Sequence, residues 1–222
     1  MSEKTKAITL YSYWRSSASY RVRMALNLKS IDYEQIPIHL VRDGGQQHQS
    51  DYKQLNPQAQ VPTLVHGDQV LTQSLAMLEY LDECFPEAAL LPIEAPGRAR
   101  VRALANVIAC DTHPINNLRV LQYLTGPLGH DEQTKLEWYR HWTANGMDAF
   151  ETMLVSSDQT GRCCHGDEPT IADCCLLPQV YNARRFACDE SNWPEIRRIA
   201  AYLETIPAIA DAAPENQPDA EH

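Results

Sequence analysis

One stretch constrains the fold before any other: Leu10-Tyr11-Ser12-Tyr13-Trp14-Arg15-Ser16-Ser17-Ala18-Ser19-Tyr20-Arg21-Val22-Arg23-Met24-Ala25-Leu26. From just after Ala7 the chain carries the β-branched and aromatic residues of a strand, then passes through paired serines into Ala18, Val22, Ala25 and Leu26, which are spaced as one helical face. A strand therefore runs straight into a helix. Serines at such a junction are good N-caps, and the free N–H groups and positive dipole end of a helix start stabilise an anion or a thiolate there. The junction is the candidate active site. The same residues also fit an ordinary capped helix with two cationic residues, Arg21 and Arg23, on its outer face.

Around this junction the first 85 or so residues alternate between strand and helix signals. The pattern predicts a strand over 7–11, a helix over 17–28, a second strand over 33–38 and a short helix over 50–55. Val61-Pro62-Thr63-Leu64-Val65, the turn His66-Gly67-Asp68 and Gln69-Val70-Leu71 then read as a hairpin. Pro62 lacks a ladder donor and suits an edge, a bulge or a cis turn. A further helix, capped by Ser74, stops at Pro86. The order is βαβαββα, an α/β domain over residues 1–87.

Residues 88–96 form the linker, in a proline-rich stretch, and beyond it the strand signals cease. Residues 97–222 are expected to be all-helical: a run over 98–110 that breaks or kinks near Pro114, then helices over 115–124, 131–154 and 171–180. Thr170-Ile171-Ala172-Asp173 before the apolar run Cys174 to Leu177 is an acidic capping box with a folding role. The polar stretch 214–222 reads as a frayed tail.

A formal charge of −10 excludes nucleic acid or an anionic membrane as main partner, since both require a broad basic surface. No uninterrupted apolar run is long enough to span a membrane, and the opening Met1 to Lys6 leads into no signal-peptide core, so a cytoplasmic location is expected. Seven cysteines, two pairs of them adjacent (Cys163-Cys164 and Cys174-Cys175), read as reduced thiols. The two-residue gap usual between zinc ligands is missing, and no C-x-x-C occurs, so neither a metal nor dithiol chemistry is expected.

Taken together, the βαβαββα half with Val61-Pro62 and Gln73-Ser74, the helical half with its capping box, and above all Arg15-Ser16-Ser17-Ala18-Ser19-Tyr20-Arg21-Val22-Arg23 resemble the zeta-class glutathione transferases. The resemblance runs nearly the full length, through Asp43-Gly44-Gly45-Gln46-Gln47, Leu55-Asn56-Pro57 and Asn116-Asn117-Leu118-Arg119-Val120-Leu121. It implies a thioredoxin-like N-terminal domain, a helical-bundle C-terminal domain, a homodimer and glutathione as cofactor. It also implies a cis–trans isomerase acting on maleylacetoacetate to give fumarylacetoacetate in tyrosine and phenylalanine (homogentisate) catabolism, by thiolate addition, bond rotation and elimination.

Carried over by residue, the resemblance puts glutathione against Ser16, Ser17, Gln47, Val61, Gln73 and Ser74, with His113 and Asn117 from the helical half. Ala18 stands where the class often has cysteine, so thiol activation falls to a serine hydroxyl, Ser16 with Ser17 in support. Arg15 joins the serines as a catalytic residue and, with Arg185, grips the substrate carboxylates. Arg119 is a lesser candidate, and a solvated helix face equally explains it, His113 and Asn117. For Arg21, Arg23 and Arg184, surface or interdomain ion pairs are expected rather than substrate contact. Alternative activities in the same pocket are maleylpyruvate isomerisation and transfer to small α-halo acids. A non-catalytic binding module of this fold has no need of the Arg15-Ser16-Ser17 start.

Overall fold

A computed structural model describes residues 6–221, so Met1–Thr5 of the opening run, and His222, lie outside the described residues. The described chain divides into two compact units, one running to Leu90 and resuming at Glu204, the other Leu91–Leu203.

In the first unit, β1 (Ile8–Ser12), α1 (Ser17–Leu28), β2 (Glu34–Pro37), α2 (Ser50–Leu55), β3 (Thr63–His66), β4 (Gln69–Thr72) and α3 (Ser74–Cys84) follow in order. The sheet order is β2-β1-β3-β4. β1 runs parallel to β2 and antiparallel to β3, with Leu10 opposite Gln35 and Leu64. β1 alternates buried Ile8, Leu10 and Ser12 with half-buried Thr9 and Tyr11, the period of two that fixes its register. β3 and β4 form the expected hairpin, with Gly67 at φ +59° in its turn. The helices over 17–28 and 50–55 match the sequence reading residue for residue, while β2 is shorter at both ends than 33–38.

Two expectations are corrected here. Ser74 does not cap α3: it is the first helical residue, and Gln73, at φ +69°, occupies the cap without a side-chain hydrogen bond. Ser74 Oγ instead accepts from Arg21 Nη1 at 3.2 Å. Arg21 and Arg23 are not on an outer face: they are 2% and 0% exposed, and α1 is buried through most of its length.

At the end of α1, the buried Lys29 ammonium meets Asp82 at 2.8 Å and the carbonyls of Phe85, Glu87 and Ala88. This satisfied charge holds the stretch after α3 to the first unit. The segment from Glu204, which the sequence reading assigns to the helical half, also belongs to this unit. Its helix α9 (Pro207–Asp211) packs on α1, and Asn27 Nδ2 donates to Ala208 O at 2.9 Å. Nor is the stretch from Pro214 frayed: Pro214 and Gln217 are buried, and Gln217 Nε2 donates to the carbonyls of Asp211 and Ala213.

The second unit contains α4 (Ala95–Asn106), α5 (Leu118–Thr125), α6 (Glu132–Val155), α7 (Ile171–Arg185) and α8 (Pro194–Leu203). As the approach to Pro114 predicts, α4 widens into a π turn over Val107–Thr112, followed by a 3-10 turn over Pro114–Asn116. Thr112 Oγ1 donates to Val107 O at 2.8 Å inside that turn. Gly146 of α6 faces it, and a Cβ there would collide with the Thr112 hydroxyl. α7 is buried from Ile171 to Val180, and the Thr170–Asp173 capping box is formed. Asp173 Oδ2 accepts from Thr170 N–H and hydroxyl at 2.8 and 2.7 Å, and Oδ1 from Cys164 N–H at 2.8 Å. All seven cysteines are free thiols, and among the described residues no His, Cys, Asp and Glu cluster could hold a metal.

Candidate active site

Ser16 sits at the N-cap of α1 with extended backbone (φ −72°, ψ 119°), and its Oγ accepts from Ser19 N–H at 3.2 Å. The bond uses a lone pair and leaves the hydroxyl proton to be donated elsewhere. No acidic residue occupies the first turn of α1, so no side chain of that turn neutralises the helix's positive end. Ser17, the first helical residue, is buried, whereas Ser16 is only half-buried.

The loop before Ser16 is tightly held. Ser16 N–H donates to Tyr13 O at 2.9 Å, and Arg23 reaches back with Nη2 on Trp14 O at 2.9 Å and Nη1 on Ser12 Oγ at 3.2 Å. Burial lowers the Arg23 pKa to about 10, which leaves it cationic at neutral pH. Arg15 is half-buried, its guanidinium 5.1 Å from the Trp14 ring centroid. Sequence reasoning missed Arg23 as a support. No local signal marks it, because a helix with Tyr20, Arg21, Arg23 and Asn27 between its apolar positions reads as half-exposed, and one acceptor of Arg23, Ala212 O, lies 189 residues away.

Before β3 the Val61–Pro62 bond is cis, one of the options the sequence left open. Tyr52 Oη and Asn56 Nδ2 both donate to Gln60 O, at 2.6 and 2.8 Å, and Tyr52 Oη also meets Thr63 Oγ1 at 2.9 Å. Burial pushes the Tyr52 phenol up, so it remains a donor. The turn is thus fixed through Gln60, and the Val61 backbone makes no hydrogen bond to another described residue. An extended peptide could pair with it as an added strand.

Gln73 is exposed, with Nε2 on Gln58 Oε1 at 2.6 Å, beside the first N–H groups of α3. Gln47 is turned inward: Nε2 donates to Leu40 O at 3.1 Å, while Oε1 is buried without a hydrogen-bond partner among the described residues. Gly45, at φ +95°, admits this arrangement, since a Cβ there would lie 2.6 Å from Gln47 Nε2.

In the second unit His113 closes the π turn, its N–H on Ile108 O at 2.8 Å, and Asn117 caps α5 by accepting from Arg119 N–H at 3.3 Å. Arg184 makes the expected ion pair, with Glu190 at 3.1 Å. Arg185 is exposed at the end of α7, its guanidinium 4.9 Å from the Phe186 ring centroid. Ser16, Ser17, Arg15, Gln47, Val61, Gln73 and Ser74 thus fall in the first unit, and His113, Asn117 and Arg185 in the second.

Residues 6–83 match the family described as the N-terminal domain of glutathione S-transferase. The chain is 50% identical to the probable maleylacetoacetate isomerase of Vibrio cholerae, over 96% of this chain and 99% of that protein. A holo structure of maleylpyruvate isomerase, described as a bacterial zeta-class glutathione S-transferase, is 46% identical with a TM-score of 0.93, covering 96% of this chain and 100% of that one. The chain belongs to the zeta-class glutathione transferases. The structure of the maleylacetoacetate isomerase of Methylobacterium extorquens with bound malonate and glutathione is 42% identical with a TM-score of 0.92, covering 96% of this chain and all of that one. In this zeta-class chain the β2-β1-β3-β4 sheet with α1 and α3 is the thioredoxin-like domain of the glutathione transferase fold, and Leu91–Leu203 is helical.

Proposed function

We propose that this chain is a glutathione-dependent cis–trans isomerase converting maleylacetoacetate to fumarylacetoacetate in the homogentisate route of tyrosine and phenylalanine catabolism. The observation that carries the reading is a serine-capped, acid-free helix start in a chain half identical, over nearly its whole length, to a probable maleylacetoacetate isomerase. The first-unit residues fit glutathione on their own chemistry. Among the described residues Val61 offers unpaired backbone to a peptide and Gln47 holds a buried carbonyl oxygen without a partner, and the starts of α1 and α3 offer N–H groups to anions. His113 and Asn117 are further candidates for the same ligand.

When bound, glutathione supplies a soft sulfur nucleophile able to add reversibly to a polarised alkene. Ser16 Oγ donates its proton as a hydrogen bond to the sulfur anion, and Ser17 supports it from the first turn of α1. Holding a thiol two pH units more acidic than its free value near 8.5 requires about 2.7 kcal/mol. A helix end contributes about 0.3 to 1 kcal/mol, or up to about 2 when partly buried, and a hydroxyl bonded to a charged acceptor about 1.5 to 3. The two together suffice; neither does so comfortably alone. Arg15 and Arg185 orient the substrate carboxylates and the oxyanion that develops during the reaction.

A second reading, maleylpyruvate isomerisation, has the support of 46% identity to the holo maleylpyruvate isomerase over 96% of this chain. Coupled assays on both substrates side by side decide between them, and the higher kcat/KM on maleylpyruvate would overturn the first reading. For the thiol site the test is the thiolate absorbance of the enzyme–glutathione complex, titrated in parent and Ser16→Ala. The variant is expected to titrate higher and to lose rate at neutral pH, with recovery in alkaline buffer. Identical curves pass the role to Ser17. A cytoplasmic homodimer completes the proposal, consistent with an acidic chain in which no described helix is long and apolar enough to cross a membrane. Light scattering should give twice 25.1 kDa, and a monomer's mass would refute it.

A further inference from the structure

The residues after α9 fold back onto the loop that carries the serines. Arg23 Nε donates to Ala212 O at 3.0 Å, Trp14 N–H donates to Asp219 Oδ2 at 2.9 Å, and Gln35 Nε2 lies 3.4 Å from Asp219 Oδ1. Ala220 packs on the cluster that contains Tyr13 and Trp14. The next residue, Glu221, meets His39 Nε2 at 3.1 Å and Arg42 Nη2 at 2.9 Å through its Oε1. His39 Nδ1 already accepts from the N–H groups of Val41 and Arg42, so its proton sits on Nε2 and is donated to Glu221. One short segment thereby joins the loop before Ser16 to the loop that leads to Gln47.

The consequence for Ser16 is local. Trp14 lies two residues before it, and both backbone groups of Trp14 are engaged, the N–H by Asp219 and the carbonyl by Arg23. With Ser16 N–H on Tyr13 O, the approach to the N-cap has little rotational freedom left. A hydroxyl donates well to a charged acceptor only over a narrow range of angle and distance, so a loop free to turn would weaken that bond.

We propose that Asp219 is a positioning residue for Ser16, holding the N-cap hydroxyl in its donating geometry through Trp14. The proposal rests on the reading above in which Ser16 hydrogen-bonds the sulfur anion. It also makes a prediction of sign. A carboxylate acting only through its charge disfavours a nearby thiolate, so removing it would lower the thiol pKa. An acceptor acting through position does the reverse, and its loss raises the thiol pKa.

The experiment titrates thiolate absorbance in the enzyme–glutathione complex for parent, Asp219→Ala, Asp219→Asn, a stop after Gln217, Ser16→Ala and the Ser16→Ala/Asp219→Ala double variant. Asparagine keeps an oxygen for Trp14 N–H and presents its NH2 to a flipped Gln35, so it should restore the parent curve. Asp219→Ala and the stop variant should both titrate about half a pH unit higher, with circular dichroism melting retained. The double variant should overlay Ser16→Ala, because Asp219 acts through that hydroxyl. If Ser16→Ala is shifted but Asp219→Ala overlays the parent, the positioning role alone is overturned. It is overturned equally if Asp219→Ala and Asp219→Asn both titrate lower, or if the double variant adds to Ser16→Ala. Should Ser16→Ala itself overlay the parent, the reading of Ser16 fails, and the role of Asp219 with it.

Discussion

Arg21 Nη1 donates to Ser74 Oγ at 3.2 Å within the buried interior of the first unit, tying the second turn of α1 to the first residue of α3. A hydrogen bond to a charged group contributes about 1.5 to 3 kcal/mol. Ser74→Ala is expected to lose about that much unfolding free energy, seen as a lower urea midpoint with an unchanged m-value. Its neighbour Gln73 is exposed, and Gln73→Ala should stay within about 0.5 kcal/mol of the parent while weakening glutathione binding by calorimetry. Equal loss of stability in both variants would show that the Arg21–Ser74 contact is not what matters at the start of α3.

How legible the chain was depends on where the signal lies. α1 and α2 were readable to the residue because serines, apolar spacing and a following Asn-Pro turn all agree locally. Ile196, Ile199, Ala200 and Leu203 carry equally clear helical spacing, so α8 too is legible locally. The return of the segment from Glu204 to the first unit is another matter. It depends on contacts about 180 to 205 residues apart, such as Arg23 to Ala212 and Trp14 to Asp219, which no local pattern encodes. For the same reason an arginine beside the candidate site read as surface charge when it is a buried support.

The cysteines offer a test of where the sulfur chemistry resides. Cys163 and Cys164 are buried, and burial, reinforced by Asp173, pushes both thiols up from their ordinary range. Cys174 and Cys175 are fully buried, whereas Cys110 is exposed. Brief iodoacetamide treatment followed by removal of the reagent should modify Cys110 and leave those four unlabelled by mass spectrometry. Turnover should persist, since glutathione brings its own sulfur and Ala18 stands at the motif position. Loss of turnover with the fold intact would contradict this.

His165 sets a pH dependence of stability. Burial lowers its pKa from 6.5, and the Arg100 guanidinium, 3.4 Å from Nδ1, lowers it further. The folded pKa lies below the unfolded one, so the unfolded chain binds more protons between them and stability rises with pH. The contribution is therefore complete above about pH 6.5 and is lost as pH falls through the folded value. Urea midpoints between about pH 5 and 8 should fall on the acid side in the parent and fall less in His165→Gln. Parallel curves for the two proteins would remove His165 from the account.

The arginines assigned to substrate share a local device. Arg15 lies over the Trp14 ring at 5.1 Å and Arg185 over Phe186 at 4.9 Å, and Phe186 itself stacks on Tyr139 at 3.8 Å. A ring face attracts the guanidinium beside it, and arginine's planar fork is the cation suited to gripping a carboxylate at two points. Lysine has neither the flat face nor the fork. Losing an arginine that grips a desolvated carboxylate costs about 2 to 5 kcal/mol, and the exposure of Arg185 places it at the lower end, roughly a thirtyfold loss in kcat/KM. Arg15→Ala and Arg185→Ala should each lose at least about that much against the dicarboxylic substrate, with glutathione affinity close to the parent's. Arg185→Lys should recover only part of the loss, because charge returns without bidentate geometry. A parallel fall in glutathione affinity in both alanine variants would mean that these cations serve the thiol ligand instead, and the substrate carboxylates would then need other partners.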